Sequence, residues 1–402
     1  MMMYLIRKLW NTATMSDRDI HVPSLGELQT HHSEKWRGFD KDVLPLPVAE
    51  MDFEVAEPIR EVMLEMVRRS DLGYLGPIPE AGISFANFAK RRWNWSLDPS
   101  EVHIATDVGV AAVEVLRVLT RRGDRVLINS PIYQNFYNWL NESGVEKVDV
   151  PFTYHPELPL EQIPWLIDWA GVEQAYASGI TVHMICNPHN PLGRIYTPED
   201  LDRFVELARK YHVTIISDEI HAPLTLKPYT FTPFLSRPGA DEVGITITAA
   251  SKAWNIAGTK AALIITHSQK LHERVKAMPM AVHYRASILG GFALVAAFEK
   301  GETWLDSAIS KLDTNRTLLK NLLDAKLPAV KYAPPHTSYL GWIDCEALGL
   351  GENPAQVFLD KGRVAFNPGH IYGEVSRNFI RFNFGTSEEI ITAAVDRMVR
   401  SL

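Results

Sequence analysis

Only two cysteines occur in 402 residues, Cys186 and Cys345, and they lie far apart. That spacing excludes a disulfide framework and a cysteine-built zinc site, and it suits a reducing compartment. The histidines His183, His189, His212 and His221 lack a metal-ligand spacing, so no metal site is expected. No stretch approaches the ~20 apolar residues that a membrane-spanning helix needs, so no membrane partner is expected. Basic runs are missing as well, and the formal net charge is −7, which argues against nucleic acid as a partner. At the N-terminus the apolar run Met1–Ile6 is too short for a signal sequence, and its charges, Arg7 and Lys8, follow it rather than precede it. A flexible tail over 1–20 and a cytoplasmic location are therefore expected. There is no internal repeat, low-complexity tract or long linker.

What remains is an ordinary globular composition, 46% hydrophobic and 22% charged, in a chain long enough for two or three lobes. Between residues 100 and 265, short apolar runs alternate with helical stretches. Strands are predicted at Val102–Ala105, Arg125–Asn129, Thr181–Cys186, Val213–Ser217 and Gly244–Thr248. Helices are predicted at Val110–Arg122, Tyr133–Ser143 and Pro198–His212. Such alternation implies an α/β fold with a mostly parallel sheet flanked by helices. Residues 267–325 read as helical, and beyond them Ser338–Asp344, Arg363–Phe366 and Phe379–Phe384 read as strands of a smaller α+β domain. The predicted organisation is a segment 21–60 that joins the small domain, a large domain over 61–290, and a small domain over 291–402.

The chemically loaded residues fall just past the C-terminal ends of the predicted parallel strands, the edge where open α/β sheets bind ligands. Lys252 follows Gly244–Thr248; a lysine there is costly unless its charge is lost or used, for instance as a Schiff base with an aldehyde cofactor. Asp218 follows a buried-looking strand and needs a partner, either a protonated pyridine nitrogen or a structural cap or cation. Glu219, next along an extended backbone, would point elsewhere. In CNPHNPLGR two Asn-Pro steps shape an irregular turn, and spacing leaves open whether Asn187 or Asn190 faces the site. The segment IATDVGVAAVEVL is a strand, a turn with Gly109 and a helix start, where free N–H groups attract phosphate. Tyr133 is placed to stack on a planar ring or to pack in the core. Arg381 lies within the apolar strand FIRFNF, where an arginine calls for a carboxylate, either a substrate's or a structural one.

Together, LPLPVAEMDFEV, GYLGPIPE, CNPHNPLGRIYTPEDL, ISDEIHAPL, SKAWNIAG and FIRFNFG resemble the fold-type I pyridoxal-phosphate enzymes of the class I/II aminotransferase superfamily. The likeness runs from about Asp40 to the C-terminus. It is closer to the MalY/PatB-like branch of cystathionine β-lyases, which are carbon–sulfur lyases. The resemblance implies pyridoxal 5'-phosphate as cofactor, with Lys252 as its Schiff-base lysine and then the proton-transfer base. Asp218 would pair with the ring nitrogen, Asn190 would bond the ring hydroxyl oxygen, and Tyr133 would stack on the ring. Ser251, Thr248 and the turn amides of Val110 and Ala111 would hold the phosphate. Arg381 would clamp the substrate carboxylate, and the loop at Ala49 would line the way in. Tyr74 matches a tyrosine lent to the neighbour's phosphate site, which implies a homodimer. Three positions depart from the wider pattern: His221 where many aminotransferases have tyrosine, Lys260 where many have arginine, and Glu50 where the branch has aspartate.

The implied reaction is α,β-elimination on an amino acid such as cystathionine, giving a thiol, pyruvate and ammonia. An aminotransferase acting on an amino acid and a 2-oxo acid shares the early steps and is the alternative. A dehydrogenase would need a glycine-rich fingerprint that DVGVAA lacks. A catalytically silent protein of the same fold would have no reason to keep Lys252, Asp218 and Arg381 together.

Overall fold

The computed structural model of the protein describes residues 20–159 and 162–402, so nearly all of the tail expected over 1–20 lies outside the described residues. Apolar runs four or five residues long become the centre of a seven-stranded sheet. Its spatial order is Val102–Ala105, Ala262–Ile265, Gly244–Thr248, Thr214–Asp218, Val182–Cys186, Arg125–Ile128 and Glu146–Asp149. Val182–Cys186 and Gly244–Thr248 are buried at every position, as strands covered on both faces must be. Only Ala262–Ile265 runs against its neighbours; the other six strands point one way. The predicted α/β class and mostly parallel sheet are therefore present, with one reversed strand inside.

Val102–Ala105 and Gly244–Thr248 match their predicted bounds, and the other predicted elements differ at one or both ends by one to three residues. The helix expected from Val110 begins at Val108, because the Asp107 side chain caps it by accepting from the Val110 N–H at 2.8 Å. The helix expected from Tyr133 begins at Asn135, which leaves Tyr133 in the turn before it. Asp218 is the last residue of its strand rather than the residue after it. The helical region after 267 is divided into four helices, the longest being Glu302–Lys326.

A second, four-stranded antiparallel sheet is ordered Lys331–Tyr332, Leu340–Asp344, Phe379–Asn383 and Asn367–Pro368. The N-terminal segment returns to this part of the molecule: Leu44–Pro45 pairs in parallel with Val364–Ala365. The strap that follows, residues 47–55, crosses to the large sheet. Asn383 Nδ2 donates to the carbonyls of Val48 (2.7 Å) and Glu50 (2.6 Å), and Asn255 Nδ2 donates to that of Met51 (2.7 Å). Beneath it, Lys35 and Asp52 form a buried ion pair at 2.7 Å. Among the described residues no helix is long and apolar enough to cross a membrane.

Candidate active site

Six strands pointing one way bring the loops after Ala105, Ile128, Cys186, Asp218 and Thr248 to a single edge of the sheet. The reversed strand adds to that edge from its own beginning: Lys260 lies just before Ala262–Ile265 and so joins loops that follow the other strands. A cavity of about 510 Å³ opens there, lined by Asp107, Gly109, Val110, Tyr133, Asn190, Asp218, His221, Ser251, Lys252 and Lys260. A second cavity of about 560 Å³ lies toward the four-stranded sheet and carries Arg381. Tyr133, Lys252 and Ala49 line both, so the lysine stands where the two spaces meet.

The Lys252 amine donates to the Ala49 carbonyl at 2.8 Å, an oxygen that also accepts from the Tyr339 hydroxyl at 2.8 Å. Desolvation, followed by the positive charge of Arg381, lowers the Lys252 pKa to about 8, with Glu50 and Asp218 pulling the other way. A large fraction of this amine is thus neutral in mildly alkaline solution. Burial raises the Asp218 carboxyl to about 7; the Ile220 N–H (3.1 Å) and the Lys252 charge only partly offset it. A carboxylate so placed is short of a cationic partner. Glu219 turns to the other side, where Ser217 Oγ (3.0 Å) and the Phe234 N–H (2.8 Å) satisfy it.

The Asn-Pro turn resolves the ambiguity between its two asparagines. Asn187 donates away from the cavity, to Glu219 and to the Thr232 carbonyl, each at 3.3 Å. Asn190 lines the cavity, its oxygen accepting from Arg381 Nη1 at 3.3 Å and its amide nitrogen left to donate. Arg381 is buried, at 2% exposure, and donates from Nη2 to the Pro47 carbonyl at 2.8 Å. Its Nε is buried without a hydrogen-bond partner. An orphaned guanidinium N–H is costly, and a bidentate carboxylate would satisfy it.

At the helix start after Asp107, the Ala111 N–H is committed to the Asp107 carbonyl at 2.9 Å and the Val110 N–H to its carboxylate. The amides open to an anion are therefore those of Val108 and Gly109, two residues earlier than the sequence suggests. A side chain at Gly109 would crowd its neighbours, because a Cβ there would lie 3.0 Å from Trp139 Nε1. Ser251 lines the same end of the cavity, and Lys260 reaches it through an ion pair with Asp107 (3.1 Å). Thr248 does not line the cavity; its hydroxyl donates to the Glu219 carbonyl at 3.2 Å. Tyr133 contributes its ring, with its hydroxyl accepting from Asn135 Nδ2 at 2.7 Å. His221 is buried and bonded to Ser338 Oγ at 3.0 Å, and burial holds its pKa down at about 3, so it is neutral. The remaining histidines of the motif regions are tied elsewhere: His183 to Tyr176 and Asn129, His189 to Tyr196 and the Pro131 carbonyl. Tyr74 is 88% exposed and lines neither cavity.

Sequence reasoning misses Asp107, Tyr339 and the Lys35–Asp52 pair. A capping signal before the helix points to Asp107. Nothing local marks Tyr339 or the ion pair, because their partners are hundreds of residues, or a strand crossing, away.

Sheet, strap and lysine-centred cavities define a known class. The chain belongs to the class I and II aminotransferase family, whose family model matches residues 41–398. A Mycobacterium tuberculosis protein is 39% identical over 389 residues, covering 92% of this chain and 94% of its own. Cystathionine beta-lyase PatB of Bacillus subtilis is 32% identical over 371 residues, covering 90% and 93%. Among solved structures, cystalysin from Treponema denticola, which contains a pyridoxal 5'-phosphate cofactor, superposes with a TM-score of 0.84 at 25% identity, covering 93% of this chain and 96% of its own.

Proposed function

We propose that this chain is a pyridoxal 5'-phosphate-dependent carbon–sulfur lyase acting on cystathionine and related cysteine S-conjugates. One S-conjugate and one water give a thiol, pyruvate and ammonium. The observation that carries this is the position of Lys252 between a cavity suited to a flat phosphorylated pyridine and one ending in a buried, under-satisfied arginine.

The residues fit that cofactor. Asp218 lacks a cationic partner and would gain one in a protonated ring nitrogen. Val108 and Gly109 amides, Ser251 and Lys260 suit the phosphate, Asn190 would donate to a ring oxygen, and Tyr133 offers a flat face. When bound, the cofactor supplies an aldehyde for amines and an electron sink for the carbon beside them.

The protein's own groups do the rest. Arg381 holds the substrate carboxylate through Nε, which fixes the Cα–H bond toward Lys252. The Lys252 amine, neutral above about pH 8, removes the Cα proton. The thiolate then leaves Cβ and takes up a proton. The Ala49 carbonyl, which the Tyr339 hydroxyl also bonds, holds the Lys252 amine when that amine is not joined to the cofactor. Relatives named as cystathionine beta-lyases support elimination over transamination.

The reading extends to assembly and location. The protein works as a homodimer in which exposed Tyr74 reaches the neighbouring phosphate site, and it works in the cytoplasm. Residues 61–290 form the large domain, with 21–60 and 291–402 forming the small one.

The test is to supply purified protein with cystathionine alone, and separately with an amino acid plus 2-oxoglutarate. Thiol and pyruvate release without a keto acid is the expected result. Turnover only in the presence of the keto acid would assign an aminotransferase instead.

A further inference from the structure

The cavity that carries both Lys252 and Arg381 is the space left for the part of the substrate beyond sulfur, since the other is taken by the cofactor in the reading above. Its walls are apolar at Phe39, Leu359 and Phe366. Among the described residues that line it, the only charges are Lys252 and Arg381, both engaged at the reacting end, and Glu34. Its side-chain amides are mostly spoken for. Asn367 Nδ2 donates to the Pro47 carbonyl and to the Tyr372 hydroxyl, each at 2.9 Å, and Gln356 Nε2 donates to Asp360 at 2.7 Å. Gln134 differs: its Oε1 is buried and has no hydrogen-bond partner.

We propose that Gln134 is a specificity residue whose Oε1 accepts a hydrogen bond from a donor, an ammonium or amide N–H, on the leaving-thiol portion of the substrate. A buried acceptor without a partner is costly, and a ligand that supplies a donor relieves it where a purely alkyl ligand does not. A substrate ending in carboxylate alone meets no free cation there and shares the cavity with Glu34, which repels it. The enzyme therefore favours cysteine S-conjugates whose thiol carries an amino group, ranks neutral alkyl conjugates below them, and ranks carboxylate-ended ones last. This rests on the elimination reading above.

The experiment compares kcat/KM of the cofactor-loaded enzyme on S-aminoethyl-, S-propyl- and S-carboxymethyl-cysteine. Gln134→Leu should lower the aminoethyl-to-propyl ratio about tenfold, the size expected for one hydrogen bond to a charged group. Gln134→Glu should restore that ratio or raise it, and should penalise the carboxymethyl conjugate further. Circular dichroism and the cofactor absorbance verify that each variant is folded and loaded, and either variant alone suffices for the comparison. If the wild type releases thiol from all three conjugates and neither substitution changes the ratios, the proposal is overturned while the lyase reading stands. If no conjugate yields thiol and pyruvate, the lyase reading fails first.

Discussion

Lys35 and Asp52 meet at 2.7 Å with side chains 0% and 1% exposed, and Trp36 Nε1 adds a hydrogen bond to the same carboxylate at 3.0 Å. Asp52 sits three residues beyond Ala49, whose carbonyl holds Lys252, so the pair anchors the strap against which the reactive amine rests.

Removing one partner of that pair leaves a buried charge alone. Lys35→Met should destabilise the protein by about 3–5 kcal/mol, and Lys35→Met with Asp52→Leu should recover much of that loss. Urea denaturation midpoints at constant slope report it. A single substitution costing no more than an exposed ion pair would show that the strap is held by its backbone bonds instead.

Lys252→Ala removes the proposed base and the point of cofactor attachment. Turnover should fall by about 10²–10⁴-fold or more. Borohydride reduction followed by mass spectrometry should find the cofactor mass on the wild-type chain and not on the variant. Covalent labelling that persists in the variant would move the site to another lysine.

Asp218 gives the cofactor-free protein a distinct pH dependence. Its folded pKa, about 7, is raised above the ordinary carboxylate value by burial. The folded state thus favours the protonated form, and the stabilisation is complete below about pH 4 and lost as pH rises through 7. Glu219, raised to about 8 by burial, adds to the same trend. Melting temperature of the cofactor-free protein should fall between pH 5 and 8, less steeply in Asp218→Asn. Cofactor addition should flatten the wild-type profile, because a ring N–H favours the charged carboxylate.

Arg381→Lys retains charge but gives up the fork and its Nε. Binding of the substrate carboxylate should weaken, with kcat/KM falling about 10–100-fold, the loss of a charge-assisted bidentate contact. Steady-state kinetics on cystathionine measure it, and an unchanged KM and kcat would remove Arg381 from substrate binding.

Tyr74 tests the proposed dimer. Tyr74→Ala should weaken cofactor retention while leaving the fold intact, since the residue is 88% exposed. Mixing Tyr74→Ala with Lys252→Ala chains should restore activity above either alone, because one site in each hybrid has both groups intact. No gain on mixing, with hybrids verified by native mass spectrometry, would place Tyr74 outside the site.

Much of the fold and of the site is legible in the amino-acid sequence. Gly244–Thr248 is correct to the residue, because its apolar positions are bounded by a helix and by small residues that leave no other register. Parallel βα alternation alone brings Lys252, Asp218, Tyr133 and Asn190 to one edge. The free amides at that helix start are those of Val108 and Gly109, two residues earlier than expected, because a single capping carboxylate, Asp107, decides where the helix begins. Thr248 falls outside the cavity because strand register, not sequence distance, sets which way a hydroxyl points.

The sequence by itself determined the α/β class, the succession of strands and helices along the chain and the chemistry of the edge, since hydrophobic periodicity and turn residues act locally. Only the tertiary structure decided which asparagine faces the cavity, that a reversed strand carries Lys260 to the same edge, and that Ala49, Tyr339 and Lys252 share one oxygen. Those depend on contacts between residues far apart along the chain, whose geometry no local pattern encodes.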